Sequence, residues 1–470
     1  MKKKSVEKNK WWKKLPHTYV ILFAMIVLSA ILTWILPAGQ FARETVEGLS
    51  KPVVVPGSYE SLPQSGVGPW GIFKSIPVGM VGASSIIFLI MISSATFGII
   101  NHTGALESGM GVLLYKVDKA GISKTAVIWV VTFLFSALGI IVGPEIQIPF
   151  TIIGINIALG LGFDPIVGLG MIMGGGYAGW NFSPINASIV GTAHSITGLP
   201  VFSGMEYRFL TVFIATAIVA TIVSLYAKRI SKDPKKSLVY GMSTEGLGMS
   251  KDLSEYKLEG KHKLVLLVLV GIFAAIVYGS SKLGWYLDEM SAVFLIGGLV
   301  AGFVYGFNVD QIIDLFIKGV SSAASIALIL GIARGIQVVL ESGMIMDTII
   351  NTLSSPLQNT SPTIGAILMS IITAIVHFFI PSGSGLAVAL MPVLSPLGTI
   401  LNISQQTVVL AFQFGATIPN FIFPTVGATM AMLGIARVPL GRWMKIALKL
   451  TAAMFVMAWI LIAVAVMIGY

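Results

Sequence analysis

Hydrophobic residues occur in long runs along nearly the whole chain, and short polar segments separate the runs. The first run, residues 16–36, holds about 21 mostly apolar residues, which is too long for the core of a signal peptide and fits a membrane-spanning helix. Further runs predict spans at about 84–101, 208–228, 264–282, 290–307 and 319–340, an amphipathic piece at 310–318, and a last span ending at Tyr470. The pattern therefore predicts a helical protein that crosses a membrane many times.

Two of the apolar runs are interrupted near their middle by proline and glycine. Residues 125–161 are interrupted at 143–149, and about 37 residues are too few for two full spans and a turn. Residues 362–401 repeat this pattern, with the sequence Pro-Ser-Gly-Ser-Gly at 381–385. Both runs therefore predict re-entrant hairpins, in which the chain enters the membrane and leaves on the same side.

A third kind of segment also occurs twice. Residues 176–200 and 415–439 align without a gap, and the alignment sets Asn181 on Asn420. Each copy has a polar, helix-breaking centre inside an apolar segment. Because lipid cannot satisfy an open backbone, a break at membrane depth must face protein or a water-filled cavity. Two matched breaks therefore predict a binding site where they meet.

The polar residues just before these segments predict where the interrupted helices begin. Asp164 precedes a proline at the first helical position, and Ser404 stands at the corresponding place in the second half. Both residue types are favoured N-caps, because their side-chain oxygens accept hydrogen bonds from the first free N–H groups of a helix.

Basic residues cluster on one set of loops and predict the orientation. The lysines of residues 1–14 and the basic residues of 228–263 favour a cytoplasmic N-terminus and a cytoplasmic linker. The first hairpin then opens to the cytoplasm and the second to the outside, so the two halves are inverted copies, as in many secondary transporters. The predicted regions are a cytoplasmic N-terminus (1–15), a first transmembrane repeat (16–228), a cytoplasmic linker (229–263) and a second repeat with one extra leading helix (264–470).

Composition supports the same class. Hydrophobic residues make up 55% of the chain, charged residues 11%, and mean hydropathy is +0.90. The net charge of +10 lies in short segments that flank apolar runs, so it predicts topology signals and lipid contacts, not binding of nucleic acid. Without cysteine the chain has neither disulfides nor thiolate metal sites. Trp443, beside basic residues, fits an interfacial anchor.

The order of hairpin, broken helix and span, repeated once in inverted form, resembles the ion-transporter superfamily. The motif Asn-Phe-Ser-Pro-Ile-Asn at 181–186, the tip at 381–385, and Pro-His-Thr-Tyr at 16–19 before a span ending Ile-Leu-Pro-Ala-Gly at 35–39 resemble the YfcC-like branch of the anaerobic C4-dicarboxylate carrier family. The resemblance covers essentially the whole chain. It implies a carrier of dicarboxylates or of basic amino acids. Superfamily relatives hold sodium with Ser-Asn-Thr tips that this chain lacks, so the resemblance does not imply sodium coupling.

The candidate site consists of polar residues at the two hairpin tips and the two breaks. The candidate ligands are Glu145 and Gln147 at the first tip, Asn181, Ser183 and Asn186 in the first break, Ser382 and Ser384 at the second tip, and Asn420 and Thr425 in the second break. Unwound carbonyls can bind a cation, and the N-termini of half-helices can bind a carboxylate. The alternative is that these side chains only cap freed backbone groups, and that the tip glycines only permit a tight turn.

Glu145 carries the prediction of substrate. An ionisable group at membrane depth costs on the order of 2.5–3.5 kcal/mol on insertion scales, so it requires a partner. That partner is a substrate ammonium or guanidinium, a coupled proton, or Arg334, the one arginine predicted to lie deep in a span. Neither tip and neither break contains Lys, Arg or His to clamp a dicarboxylate. The preferred substrate is therefore a basic amino acid such as arginine or ornithine, and the alternative is a C4-dicarboxylate or other organic anion held by Arg334.

Other classes of function fit the sequence less well. A channel needs a continuous polar lining, and an ATP-driven pump needs a phosphate-binding loop, and neither pattern is present. His377 and Ser384 lack a third catalytic partner, so the protein is not predicted to be an enzyme. The sequence predicts a secondary transporter of the cell membrane, with elevator or rocking alternating access. It needs no cofactor, with Na⁺ or H⁺ as candidate coupling ions, and its expected partners are a small solute, the lipid bilayer and a second copy in a homodimer.

Overall fold

Helices make up almost all of the secondary structure. The structure, a computed structural model, describes residues 18–45, 52–200, 203–244, 247, 255–283, 285 and 287–470. Within these residues, eight helices are long and apolar enough to cross a membrane. The basic N-terminus predicted for residues 1–15 lies outside the described residues. The fold is that of an all-α polytopic membrane protein, as the hydrophobic runs predict.

The helices of the first half, in chain order, are α1 (Thr18–Ile35), α2 (Pro69–Gly82), α3 (Ser84–His102), α4 (Ala105–Lys119), α5 (Lys124–Ile141), α6 (Pro144–Gln147), α7 (Thr151–Gly160), α8 (Pro165–Leu169), α9 (Gly175–Asn181), α10 (Thr192–Thr197) and α11 (Met205–Lys232). Those of the second half are α12 (Gly260–Lys282), α13 (Leu287–Tyr305), α14 (Val309–Ser342), α15 (Met346–Ser354), α16 (Pro362–Phe379), α17 (Gly383–Ile400), α18 (Gln405–Thr417), α19 (Gly427–Ile435) and α20 (Leu440–Ile468). Short 3-10 or π-helical turns join several of them.

Helix α14 differs from the prediction, because the amphipathic piece and the span expected at 310–318 and 319–340 form one helix of 34 residues. Asn308 begins it with a capping box, in which its side chain accepts from the N–H of Gln311 and the Gln311 side chain accepts from the N–H of Asn308. No proline or helix-ending glycine motif interrupts the sequence that follows, so the helix continues. At 1.5 Å per residue it is about 51 Å long and exceeds the hydrocarbon core of a bilayer.

The scaffold packs around α14, which contacts α1, α2, α3 and α19. Glycines bring its backbone close to its neighbours. A Cβ added at Gly79 of α2 would lie 2.4 Å from the carbonyl oxygen of Gly331, and one at Gly319 would lie 2.4 Å from the Cα of Ala95. Small residues are the usual basis of helix association in lipid, where burying apolar side chains gives no net driving force.

The segment between α1 and α2 lies over the end of α14. It contains two short antiparallel ribbons, in which β1 (Gly39–Gln40) pairs with β4 (Glu60–Ser61) and β2 (Arg43–Glu44) pairs with β3 (Val53–Val54). Arg43 forms an ion pair with Asp347 at the start of α15. The ribbons are therefore attached to the second half of the chain by a charged contact.

The two hairpins form as predicted. Helices α5 and α7 are the arms of the first and α6 is its tip, while α16 and α17 are the arms of the second. The tip of the second is the turn that precedes α17. Helices α5 and α6 contact α9, and α16 contacts α18, so each hairpin packs against the interrupted helix of its own half.

The interrupted helices also begin where their N-caps predict. The Asp164 side chain accepts from the N–H of Val167 at 3.2 Å, and Ser404 accepts from the N–H of Thr407 at 3.2 Å. Burial raises the pKa of the Asp164 carboxyl, while hydrogen bonds lower it, the largest of them from the hydroxyl of Ser237 (2.6 Å). The first interrupted helix breaks after α9 and resumes before α10, and the second breaks between α18 and α19.

Each interrupted helix contacts elements of the other half of the chain. The end of the first, α10, contacts α18, which starts the second, and the end of the second, α19, contacts α6 and α7 of the first hairpin. In the same way, α17 of the second hairpin contacts α10. Each hairpin therefore packs against the far part of the other half's interrupted helix, and all four elements meet near the breaks.

Candidate functional site

Polar side chains of α18 satisfy the backbone of the first break. The Nε2 of Gln413 donates to the carbonyl oxygens of Ser183 (2.8 Å) and Asn181 (3.2 Å), and the Oγ1 of Thr417 also donates to the Asn181 carbonyl (3.1 Å). All four residues are buried. Each carbonyl lies where the helix has ended. Without these donors it would be an unsatisfied buried group, which costs on the order of 1–3 kcal/mol. Hydrogen bonds thus join the two interrupted helices at the first break.

The second break is satisfied by side chains of α19, which follows it, and of α20. Thr429 donates to the carbonyl oxygen of Asn420, and its Oγ1 also shares a hydrogen bond with the hydroxyl of Tyr177 in α9. The indole of Trp443 donates to the carbonyl oxygen of Phe421 at 2.8 Å. The prediction that Trp443 is an interfacial anchor is therefore wrong, because this tryptophan is fully buried and supports the break.

The side chains of the two matched asparagines have different surroundings. Asn181 is fully buried, and neither its Oδ1 nor its Nδ2 has a hydrogen-bond partner among the residues that the structure describes. In contrast, the Oδ1 of Asn420 lies 2.8 Å from the Nε2 of His377 in α16. An unpaired buried amide costs roughly 1–3 kcal/mol. Asn181 is thus the amide at this site with both hydrogen-bonding atoms available to a ligand.

Three of the predicted site residues hydrogen-bond to backbone groups near the ends of helices, Ser183 across to α5 and the other two within their own segment. The Oγ of Ser183 donates to the carbonyl oxygen of Ile140 (2.8 Å), and the Oδ1 of Asn186 accepts from the N–H of Ile189 (3.1 Å). The Oγ of Ser382 accepts from the N–H of Gly385 (3.3 Å) at the start of α17. The capping alternative therefore describes these side chains as they stand in this structure.

The remaining polar candidates lie at the tips and in the second break. Gln147 donates through Nε2 to the carbonyl oxygen of Val142 (3.3 Å), while its Oε1 lies 1.6 Å from the place a Cβ at Gly176 would occupy. Neither that Oε1 nor the Oγ1 of Thr425 has a hydrogen-bond partner among the described residues. Ser384 is half-buried in the first turn of α17. Gly176 thus gives Gln147 room at the broken helix.

Glu145 lies in α6, at the tip that contacts both α9 and α19. Its side chain is half-buried, and its Oε2 lies 2.9 Å from the place a Cβ at Gly143 would occupy, so it folds back over the start of the tip. Arg334 lies instead on α14 against Gly79 and Gly82 of α2. Among the described residues, the ion pairs are Arg43 with Asp347 and Lys236 with Asp233. Glu145 and Arg334 are therefore not paired with each other.

Arg208 in α11 is a buried cation that the sequence analysis missed. It is fully buried, whereas Arg334, expected to be the deep arginine, is half-buried. The Nε of Arg208 donates to the Oε1 of Gln413 (2.9 Å) and its Nη1 donates to the hydroxyl of Tyr470 (2.9 Å). Its Nη2 has no hydrogen-bond partner among the described residues. Through Gln413, this guanidinium is connected to the carbonyls of the first break.

One signal in the sequence could have found this network. Gln406 and Gln413 are seven residues apart in a mostly apolar helix, so both amides fall on one helical face. Both accept hydrogen bonds from Arg208, and Gln406 also lies 3.2 Å from His194 of α10. Among the described residues, no group of three or more histidine, cysteine or acidic side chains is placed to hold a metal ion.

The fold and the site together define a class. The protein is a polytopic helical membrane protein in which two interrupted helices and two hairpins enclose the amides of Asn181 and Gln147, which have atoms without a hydrogen-bond partner among the described residues. The sequence model of the C4-dicarboxylate anaerobic carriers matches residues 15–467. The chain therefore belongs to the C4-dicarboxylate anaerobic carrier family, and it is a transporter whose partners are a small-molecule solute and membrane lipid.

Individual relatives match over nearly their full length. The chain is 28% identical to the Escherichia coli (strain K12) protein named "Putative basic amino acid antiporter YfcC", covering 97% of each chain. It is 26% identical to a Haemophilus influenzae protein named "Uncharacterized protein", covering 96% of this chain and 97% of the relative. Among solved structures, the Alcanivorax borkumensis YdaH transporter is 18% identical with a TM-score of 0.42, covering 97% of this chain and 99% of that one.

Proposed function

We propose that the protein is a secondary active transporter of a basic amino acid such as arginine or ornithine, which it exchanges for a related product or moves with a cation. The name of the YfcC relative agrees with this substrate class. The half-helix N-termini and the Asn181 amide would bind the α-carboxylate and α-amino groups, and Glu145 would bind the cationic side chain.

Glu145 is the observation that carries the proposal. It is a half-buried carboxylate, it lies at the tip where the first hairpin meets both interrupted helices, and it forms no ion pair among the described residues. A carboxylate at membrane depth without a fixed cation is unfavourable unless a proton or a mobile cation neutralises it. A guanidinium or ammonium group of the solute supplies that charge and binds a carboxylate through strong, charge-assisted hydrogen bonds.

The test is uptake of labelled arginine into proteoliposomes preloaded with ornithine. Glu145→Gln keeps the size of the side chain and removes its charge, so uptake should fall at least ten-fold while the protein keeps its melting temperature. Asp310→Asn is the matched control, because Asp310 is an exposed carboxylate in the first turn of α14. Unchanged arginine uptake by Glu145→Gln would overturn the assignment of this residue.

Arg208 favours a second candidate, a C4-dicarboxylate or another organic anion. It is a fully buried guanidinium with one free nitrogen and a hydrogen-bonded path to the first break. If the solute were a dicarboxylate, the native protein should take up a four-carbon dicarboxylate without competition from arginine. Arg208→Gln should then abolish that uptake, whereas Glu145→Gln should leave it intact.

For the mechanism, we propose alternating access by an elevator or rocking movement of two inverted repeats, 16–228 and 264–470, joined by a cytoplasmic linker, 229–263. The reciprocal contacts between each hairpin and the interrupted helix of the other half support this proposal. We place the N-terminus in the cytoplasm and the protein in the cell membrane, as a homodimer. Exchange needs no coupling ion, and Na⁺ or H⁺ is the ion to test if net uptake occurs.

A further inference from the structure

A cavity of about 350 Å³ lies between the β-ribbons, the end of α14 and the start of α17. We call it the ribbon cavity. Its lining includes Arg43 of β2, Gln337 and Glu341 of α14, Asp347 of α15 and Gly385 of α17. Its size falls within the range of about 300–1,000 Å³ that small-molecule sites occupy. Neither Glu145 nor Asn181 is among its lining residues, whereas Ile380 and Gly385 at the second hairpin tip are.

The charges of the ribbon cavity are unbalanced. Arg43 donates to both carboxylate oxygens of Asp347 at 2.8 Å each, so these two side chains neutralise each other. Glu341 also lines the cavity, is exposed, and has no ion pair among the residues that the structure describes. Among the described lining residues, one cation and two anions leave one net negative charge at the cavity wall.

Gln337 is the second group that points to a ligand. It lies one turn before Glu341 on α14 and is only 8% exposed. Its Nε2 donates to the Oε1 of Glu341 at 2.6 Å, whereas its own Oε1 has no hydrogen-bond partner among the described residues. A buried carbonyl oxygen without a donor costs on the order of 1–3 kcal/mol, and a donor from a ligand in the cavity would remove this cost.

We propose that the ribbon cavity is a second solute site, which binds a guanidinium or ammonium group between the carboxylate of Glu341 and the Oε1 of Gln337. The type of cation rests on the proposed function, but the negative charge and the free acceptor do not. Arg43 shows that a guanidinium fits this cavity, since its own is held there by Asp347. The first turn of α17 also lines the cavity, and a helix N-terminus favours the carboxylate of an amino acid.

The position of the cavity assigns its role. It lies beneath the ribbons, at the side of the membrane on which residues 36–45 and 52–68 emerge, and beside the second hairpin. A cationic solute that binds here is concentrated next to that hairpin before it reaches the site at the breaks. Glu341 should therefore lower the concentration needed for half-maximal uptake, without setting the maximal rate.

Equilibrium binding of labelled arginine to the purified protein in detergent tests the second site. The measurement uses the Glu145→Gln protein, in which the proposed inner site is disabled. Binding should persist in Glu145→Gln and weaken at least ten-fold in the double variant Glu145→Gln/Glu341→Gln. The matched control is Glu145→Gln/Glu60→Gln, because Glu60 is an exposed carboxylate of β4 on the same side that does not line the cavity. Loss of all binding in Glu145→Gln, or equal binding with and without Glu341, would overturn the ribbon-cavity site.

Uptake by the single variant Glu341→Gln is the second measurement, and it does not depend on the Glu145→Gln protein remaining folded. Its KM for arginine should rise at least five-fold with little change in maximal rate, and an unchanged KM would count against the site. The two proposals can fail separately. If the native protein binds arginine through Glu341 but does not transport it, the proposed substrate falls and the ribbon-cavity site stands. If transport depends on Glu145 but Glu341→Gln leaves arginine binding unchanged, the ribbon-cavity site falls and the proposed substrate stands.

Discussion

At the scale of single residues, two residues that align in the repeated segments do not have the same physical role. Asn181 and Asn420 align in the repeated segments, but the Asn181 carbonyl accepts from side chains of the other interrupted helix, whereas the Asn420 carbonyl accepts from Thr429 of its own. Their amides differ, because Asn420 has His377 as a partner and Asn181 has none among the described residues. The energy of an unpaired buried amide is the kind of cost that proteins carry at functional sites.

This difference predicts opposite effects of alanine substitution. Asn181→Ala removes an amide that makes no hydrogen bond, so we expect transport to fall at least ten-fold with little loss of stability. Asn420→Ala breaks the contact with His377 and leaves a buried imidazole nitrogen unsatisfied, so we expect destabilisation of about 1–3 kcal/mol. Solute uptake and thermal unfolding, followed by intrinsic tryptophan fluorescence, measure the two effects. Normal uptake by folded Asn181→Ala would remove it from the site.

At the scale of elements, the sequence predicts the features that are set by residues close together in the chain. Proline and glycine locate the hairpin tips and the breaks, and Asp164 and Ser404 locate the starts of two helices, because each signal acts within one helical turn. Contacts between distant segments leave no such signal. Arg208 bonds to Gln413, 205 residues away, and to Tyr470, 262 residues away, so its burial could not be deduced from its place at the start of a span.

The ribbon cavity was missed for the same reason. It is lined by three separate parts of the chain, namely the ribbons, the end of α14 with the start of α15, and the second hairpin, so no single segment indicates it. For the predicted site, the order of elements along the chain is enough to predict that the hairpin tips lie beside the breaks. Which amides stay unpaired depends on side-chain packing between the halves, which no single segment encodes.

Packing of each hairpin arm on its interrupted helix gives a prediction at the scale of elements. A Cβ at Gly415 of α18 would lie 2.2 Å from the carbonyl oxygen of Ser370 and 2.6 Å from the Cβ of Thr373, both in α16. Gly415→Ala should force the helices apart and destabilise the protein by about 1–3 kcal/mol. Gly271→Ala in α12 is the control, since a Cβ there meets nothing within 4 Å. Thermal unfolding compares the two variants. Equal melting temperatures would show that α16 and α18 can move apart without loss of stability.

At the scale of the whole molecule, the reciprocal contacts of hairpins and interrupted helices are what two inverted repeats would produce. Helix α10 meets α18 and α17, while α19 meets α6 and α7. If the second half has the opposite orientation, both hairpins approach the breaks from opposite sides of the membrane. A solute between the breaks is then reached from one side through one hairpin and from the other side through the other, which is the geometry of alternating access.

This arrangement predicts that the two hairpins open to opposite sides of the membrane. The chain has no cysteine, so single cysteines can report sidedness without a background. Ala120→Cys lies just before the first arm of the first hairpin, Ser361→Cys lies just before the first arm of the second, and both positions are exposed. In intact cells a membrane-impermeant maleimide should label Ser361→Cys within minutes, whereas Ala120→Cys should react only after the cells are opened. Uptake by both variants serves as the control for a native fold. Labelling of both cysteines from one side would show that the hairpins open together and would exclude the inverted arrangement.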